Sequence, residues 1–268
     1  MIGILVLHGM GPHEGDFDAA FREDLLQRLP ARLRGDVVWQ PVHYNSVLQD
    51  RQDAVWGRMQ GEALGGPVNQ RLRRFLLDAC GDLMAYGNDQ LSAESPYLRV
   101  HAFVRDAIAQ LHGQMAPASR IRTPVLVFAQ SLGCQVFSNY MWDAQNRRGL
   151  WARTEPDALA SLSTLRGLVT TGCSLPLLAS ALARNDIRTF RRPDPRFRWV
   201  NFYDPDDALG WPLRPLSSGF ADSYASMVER DERVNVGAAQ GSHVGYWSDR
   251  QFLRAAVQLV QEVEAAGL

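Results

Sequence analysis

The chain has 268 residues, of which 46% are apolar and 21% charged: enough core-forming material for one large α/β domain, and too few charges for wholesale disorder. A formal net charge of −1, from 28 basic and 29 acidic residues, gives no electrostatic footprint for nucleic acid or an anionic membrane. Every basic residue is Arg, and the absence of Lys excludes Schiff-base catalysis, a Ser–Lys dyad and a Walker-type phosphate loop.

Ile2–Leu7 (IGILVL) is a short apolar run that stops at His-Gly-Met-Gly, the pattern of a buried strand entering a glycine turn. It has no basic leader and is too short for a signal core or a membrane span, so a cytoplasmic location is expected. Over residues 17–33, Phe21, Leu25, Leu26, Leu29 and Leu33 recur at helical spacing, and Val37–Val42 is a second strand. Residues 44–117 hold two helical patterns, Leu72, Phe75, Leu76, Ala79 and Leu83, then Val100, Phe103, Val104, Ile108 and Leu111. A plain crossover between strands needs far fewer residues, so a helical insertion or cap is expected there.

Residues 124–130 (PVLVFAQ) form a third strand followed at once by a helical pattern, Val136, Phe137, Tyr140 and Met141. Leu165–Thr171 and Arg198–Tyr203 are the fourth and fifth strands, and residues 234–236 are a weaker sixth. The basic stretch 184–198, interrupted by Asp186 and Asp194, is expected to be a solvated loop. In the last helix Ser248 and Gln251 fit a capping box, and Phe252, Ala256, Leu259, Val260 and Val263 supply an apolar face. Alternating strands and helices predict a single α/β domain over 1–268, with a mostly parallel sheet of about six strands and helices on both faces. Reactive groups gather at the carboxyl ends of such strands. The cysteines, Cys80, Cys134 and Cys173, suggest neither a disulfide framework nor a zinc site, and no metal or cofactor is expected.

Ala129-Gln130-Ser131-Leu132-Gly133 matches small-x-Ser-x-Gly. A nucleophile on a tight strand-to-helix turn needs small neighbours two residues away on each side, or the turn cannot close. The following helix would point its free N–H groups at the turn. An ordinary helix N-cap serine is the plainer alternative. The segment resembles the nucleophile elbow of the α/β-hydrolase superfamily. The first small residue there is usually Gly, although some lipases of the family carry Ala, as at position 129. The resemblance implies a Ser131 nucleophile, and an oxyanion hole from the backbone N–H groups of Met10, in His8-Gly9-Met10-Gly11, and Leu132.

Gly241-Ser242-His243-Val244-Gly245-Tyr246-Trp247 lies before the last helix, where the family keeps its catalytic histidine, and Ser-His-x-x-Tyr-Trp resembles the segment in lipase-like members. His43, His101 and His112 fall at a strand end or within helical patterns, His8 in the oxyanion turn, and His13 in the loop after it. The acid would come from Tyr203-Asp204-Pro205-Asp206-Asp207-Ala208-Leu209. Asp207, followed by a small and then an aliphatic residue, fits the family best; Asp204 is the runner-up, and Asp206 remains open. Turn formation is the alternative role for such aspartates. The resemblance implies a lipase-like carboxylic-ester hydrolase working through an acyl-enzyme on a small-molecule ester, without cofactor. A thioesterase or amidase on the same residues, or a binding module that keeps the fold without turnover, stays open. Leu209, Trp211, Pro212 and Leu213, with the helical insertion, are candidates for an acyl pocket or for core.

Overall fold

A computed structural model describes residues 1–10, 15–60, 65–87, 95–180, 190–217, 226–237 and 242–266. Gly11, His13, Gly241 and residues 184–189 lie outside them. Six strands, β1 (Ile2–Leu7), β2 (Val37–Val42), β3 (Val125–Gln130), β4 (Leu165–Thr171), β5 (Arg198–Tyr203) and β6 (Val228–Arg233), pair in the order β2-β1-β3-β4-β5-β6. Every pairing is parallel. β1, β3 and β4 are buried along their whole length, which is why they read as unbroken apolar runs rather than as alternation.

Alternate residues divide the core into two layers. Ile4, Val6, Leu126 and Phe128 face one side, with Phe21 and Leu25 of α1 (Ala19–Arg28) and Phe252 and Val260 of the last helix. Leu5, Leu7, Val125 and Val127 face the other, with Val104 and Ile108 of one helix and Val136 and Phe137 of another. The chain winds outward from β1 to β2, then returns to the opposite side of β1 for β3. That reversal opens a crevice at the carboxyl ends of β1 and β3.

Three local expectations are corrected. The pattern over 17–33 is not one helix, because Leu29 turns extended (ψ 148°) and α2 (Ala31–Arg34) restarts after Pro30. A residue before proline is sterically pushed out of the α region. The sixth strand is not 234–236 but β6, VERDER, whose five charges hid it. An edge strand pairs on one side only, so its side chains can stay in water: Glu229 meets Arg198 and Arg230 meets Glu232. The last helix, which begins at Arg250, is capped by Asp249, whose Oδ1 accepts from Gln251 and Phe252 N–H at 2.8 and 2.9 Å. Ser248 donates to Gly245 O instead.

Between β2 and β3 run α3 (Asn45–Met59), α4 (Pro67–Gly87) and α5 (Pro96–Gly113). α5 lies on β1 and β2 as a crossover helix, while α3 and α4 pack on each other. Their contact is polar: Asp82 accepts from Gln52 at 2.5 Å, and Arg74 joins Asp53 and Asp78. Leu72, Phe75 and Leu76 are accordingly exposed. Among the described residues no helix is long and apolar enough to cross a membrane, and no group of three His, Cys or carboxylate side chains could hold a metal.

Candidate active site

β3 delivers Ser131 to the crevice, and α6 (Leu132–Asn146) starts on the next residue. Ser131 has φ 51° and ψ −120°, a conformation that costs a non-glycine residue about 1–3 kcal/mol and persists only where the surroundings enforce it. Ser131 N–H donates to Thr171 O of β4 at 2.9 Å, and Cys134 N–H closes the turn onto Ser131 O at 3.0 Å. Two glycines packed around the serine are required sterically, Gly133 of the motif and Gly9 of the turn after β1. A Cβ on Gly133 would lie 2.5 Å from His8 O, and one on Gly9 2.9 Å from Ser131 Cβ.

Ser131, His243 and Asp207 meet in one relay. Ser131 Oγ donates to His243 Nε2 at 2.8 Å, and His243 Nδ1 donates to Asp207 at 3.0 and 2.9 Å from the two carboxylate oxygens. Asp207 also accepts from Leu209 N–H at 3.0 Å and from the Tyr246 hydroxyl at 2.8 Å. Burial pushes this carboxyl up, but the hydrogen bond and charge of His243, with the bonds from Tyr246 and Leu209, leave it below the ordinary carboxylate value. An ionised Asp207 only accepts, so it places the imidazole proton on Nδ1 and leaves Nε2 free to accept from the serine.

Asp204 is buried but belongs to the turn: its oxygens accept from Asp206 N–H at 2.9 Å and Val236 N–H at 2.7 Å. Asp206 is exposed. Of the two backbone positions expected to hold an oxyanion, Leu132 is the buried first residue of α6, and half-buried Met10 follows Gly9 beside the serine. Tyr44 buttresses that turn from behind, its hydroxyl donating to His8 O while its ring stacks on the imidazole at 4.0 Å. Cys134 is buried behind the elbow, donating to Ala129 O at 3.3 Å; burial and the neighbouring Cys173 push its thiol well up, so it stays a thiol.

A cleft of about 250 Å³ opens onto Ser131 and His243, walled by Met10, Phe17, Phe21, Val244 and Trp247. Ser131 is 1% exposed and the His243 side chain 12%, so a reagent reaches them through this cleft. The run 209–213 does not line it: Leu213 is in the core, its N–H bonded to Asp231, and Trp211 braces the acid loop through Ala208 O. No described residue of 44–117 is in the lining either.

Two side chains of the site escaped sequence reasoning. Gln130 donates from Nε2 to His243 O at 2.8 Å and so ties the histidine loop to β3. Tyr246, read only as part of a resembling run, contacts the acid itself. Nothing in the order of residues marks Gln130; the Tyr three positions beyond the histidine was the one available signal.

No known family model matches the chain, and no curated protein does. Among solved structures, Arabidopsis thaliana SOBER1 superposes with a TM-score of 0.44 at 12% identity, covering 98% of both chains. Est1E from Butyrivibrio proteoclasticus gives 0.44 at 10%, over 98% of this chain and 88% of that one. Esterase PE8 gives 0.42 at 12%, over 98% and 92%.

Proposed function

We propose that the chain is an α/β-hydrolase-type serine esterase with Ser131 as nucleophile, His243 as general base and acid, and Asp207 as the group that orients the imidazole. The observation that carries this reading is the Ser131–His243–Asp207 relay on a serine held at φ 51°. A binding module has no use for a strained serine aimed at an imidazole acceptor, which favours turnover over binding alone.

Ser131 Oγ attacks the acyl carbonyl carbon as its proton passes to His243 Nε2. The carbonyl oxygen takes the negative charge, facing the N–H groups of Met10 and Leu132. Collapse re-forms the carbonyl and breaks the bond to the leaving oxygen, which takes the proton from His243. Water then attacks the acyl-enzyme with His243 again as base, releasing the acid and restoring Ser131. These steps use only groups of this chain, water and a small-molecule acyl substrate. The same relay would also attack a thioester.

A fluorophosphonate probe tests the reading, since it needs both an activated serine and an oxyanion site. The wild type should be labelled once per chain, and Ser131→Ala should fold with an unchanged circular dichroism spectrum and take no label. An unlabelled wild type, or a labelled Ser131→Ala protein, overturns it.

A further inference from the structure

Tyr246 is fully buried, in an apolar cluster with Phe21 and Phe252. A phenol hydroxyl in such a place is costly unless partnered, and both of its partners belong to the acid loop. Asp204 N–H donates to Tyr246 Oη at 2.9 Å, and Oη lies 2.8 Å from Asp207 Oδ2. A backbone N–H cannot accept, so the phenol proton has only Asp207 to go to. Two glycines make room. A Cβ on Gly210 would lie 2.7 Å from Tyr246 Oη; one on Gly172, at φ 53°, would lie 3.0 Å from the tyrosine ring and 3.2 Å from both Asp207 Oδ2 and His243 Cε1.

We propose that Tyr246 is a positioning residue of the reaction: its hydroxyl fixes the Asp207 carboxylate towards His243 Nδ1 and offsets part of the carboxylate charge that the imidazole feels. This rests on the serine-hydrolase reading above. Other titratable groups on the flanking elements are otherwise placed. The Asp204 carboxylate is held by two backbone N–H groups, Asp206 is exposed, Cys173 is buried beyond β4, and Asp231 on β6 holds Leu213 and Arg214 N–H. Without the phenol, Asp207 presents a less compensated charge and a looser orientation. The first effect favours the charged imidazolium over the neutral ring; the second slows proton transfer.

Tyr246→Phe keeps the ring and tests the hydroxyl alone. Ester hydrolysis should lose roughly tenfold in kcat with KM little changed, as expected for one hydrogen bond to a charged group. The acidic limb of kcat/KM should move to higher pH, and the labelling rate with the fluorophosphonate should follow the same displaced curve. In an Asp207→Asn background the same substitution should cost nothing further. A folded Tyr246→Phe enzyme with wild-type rate and pH profile overturns the proposal. So does a rate loss with an unmoved acidic limb, or full additivity with Asp207→Asn, since either marks packing alone. A wild type that takes no probe would instead fail the underlying reading, which keeps the two failures apart.

Discussion

At the scale of single residues, three neighbouring carboxylates separate by what they touch. Asp207 meets the imidazole, Asp204 holds two backbone N–H groups, and Asp206 lies at the surface. Asp207→Asn keeps the size of the side chain but offers Nδ1 an amide, favouring the tautomer that cannot accept the serine proton. Ester turnover should fall by roughly 10⁴, about 5–6 kcal/mol of transition-state stabilisation. Asp204→Asn should act on stability, lowering the melting temperature while the folded fraction keeps most of its activity, and Asp206→Asn should leave turnover near normal. Assays of the three variants on one ester, with folding followed in parallel, check this. Near-normal turnover in Asp207→Asn would remove Asp207 from the relay.

At the scale of elements, a buried polar cluster ties the α4–α5 segment to α6. His101 Nε2 lies 2.8 Å from the Tyr86 hydroxyl, its Nδ1 is 3.3 Å from Asp143, and Tyr97 donates to Asp143 at 2.9 Å. Burial lowers the His101 pKa from its ordinary 6.5, and the neighbouring Asp143 offsets this only in part. His112 shifts the same way for the same first cause. The unfolded chain therefore binds these protons at higher pH than the folded one. Their contribution to stability is complete above about pH 6.5 and is lost as pH falls through the depressed folded values. Asp207 and Glu229, both held below their ordinary values, add a second loss further into acid. The denaturant midpoint should thus already decline between pH 7 and pH 5, and His101→Gln should flatten that decline whatever it does to the midpoint itself. An unchanged slope would show that His101 protonates freely in the folded state.

The same elements show what was legible beforehand. β1, β3 and β4 stood out because burial along their whole length demands continuous apolar runs, Ser131 and His243 because a turn and a loop mark them, and Asp207 only through the family resemblance that set it ahead of Asp204. β6 was hidden because an edge strand can be made of charges. The break at Pro30 was overridden by a periodic pattern that continues across it. Gln130 and Tyr246 were illegible because their roles exist only across contacts spanning 113 and 39 residues, which no local pattern encodes. The apolar run 209–213 was ambiguous between pocket and core, and only Leu213 went to the core, while Trp211 is exposed beside the acid loop.

For the whole molecule, the sheet has two margins among the described residues, β2 and β6. β2 carries Pro41, which has no N–H to offer, and β6 carries five consecutive charges, Glu229 to Arg233. A parallel six-stranded sheet forms slowly, because each pairing joins distant parts of the chain, and its margins are bare while it does so. Both are poor templates for a stray strand, so a partly folded copy gains little by adding itself to either edge. Glu232→Thr with Arg233→Val would remove two of the five charges from the outer strand without touching the relay. The variant should scatter light on refolding at concentrations where the wild type stays clear, and equal clarity in both would show that these two charges guard nothing. On this view the residues that made β6 unreadable as a strand are the ones that keep the finished sheet from growing into its neighbours.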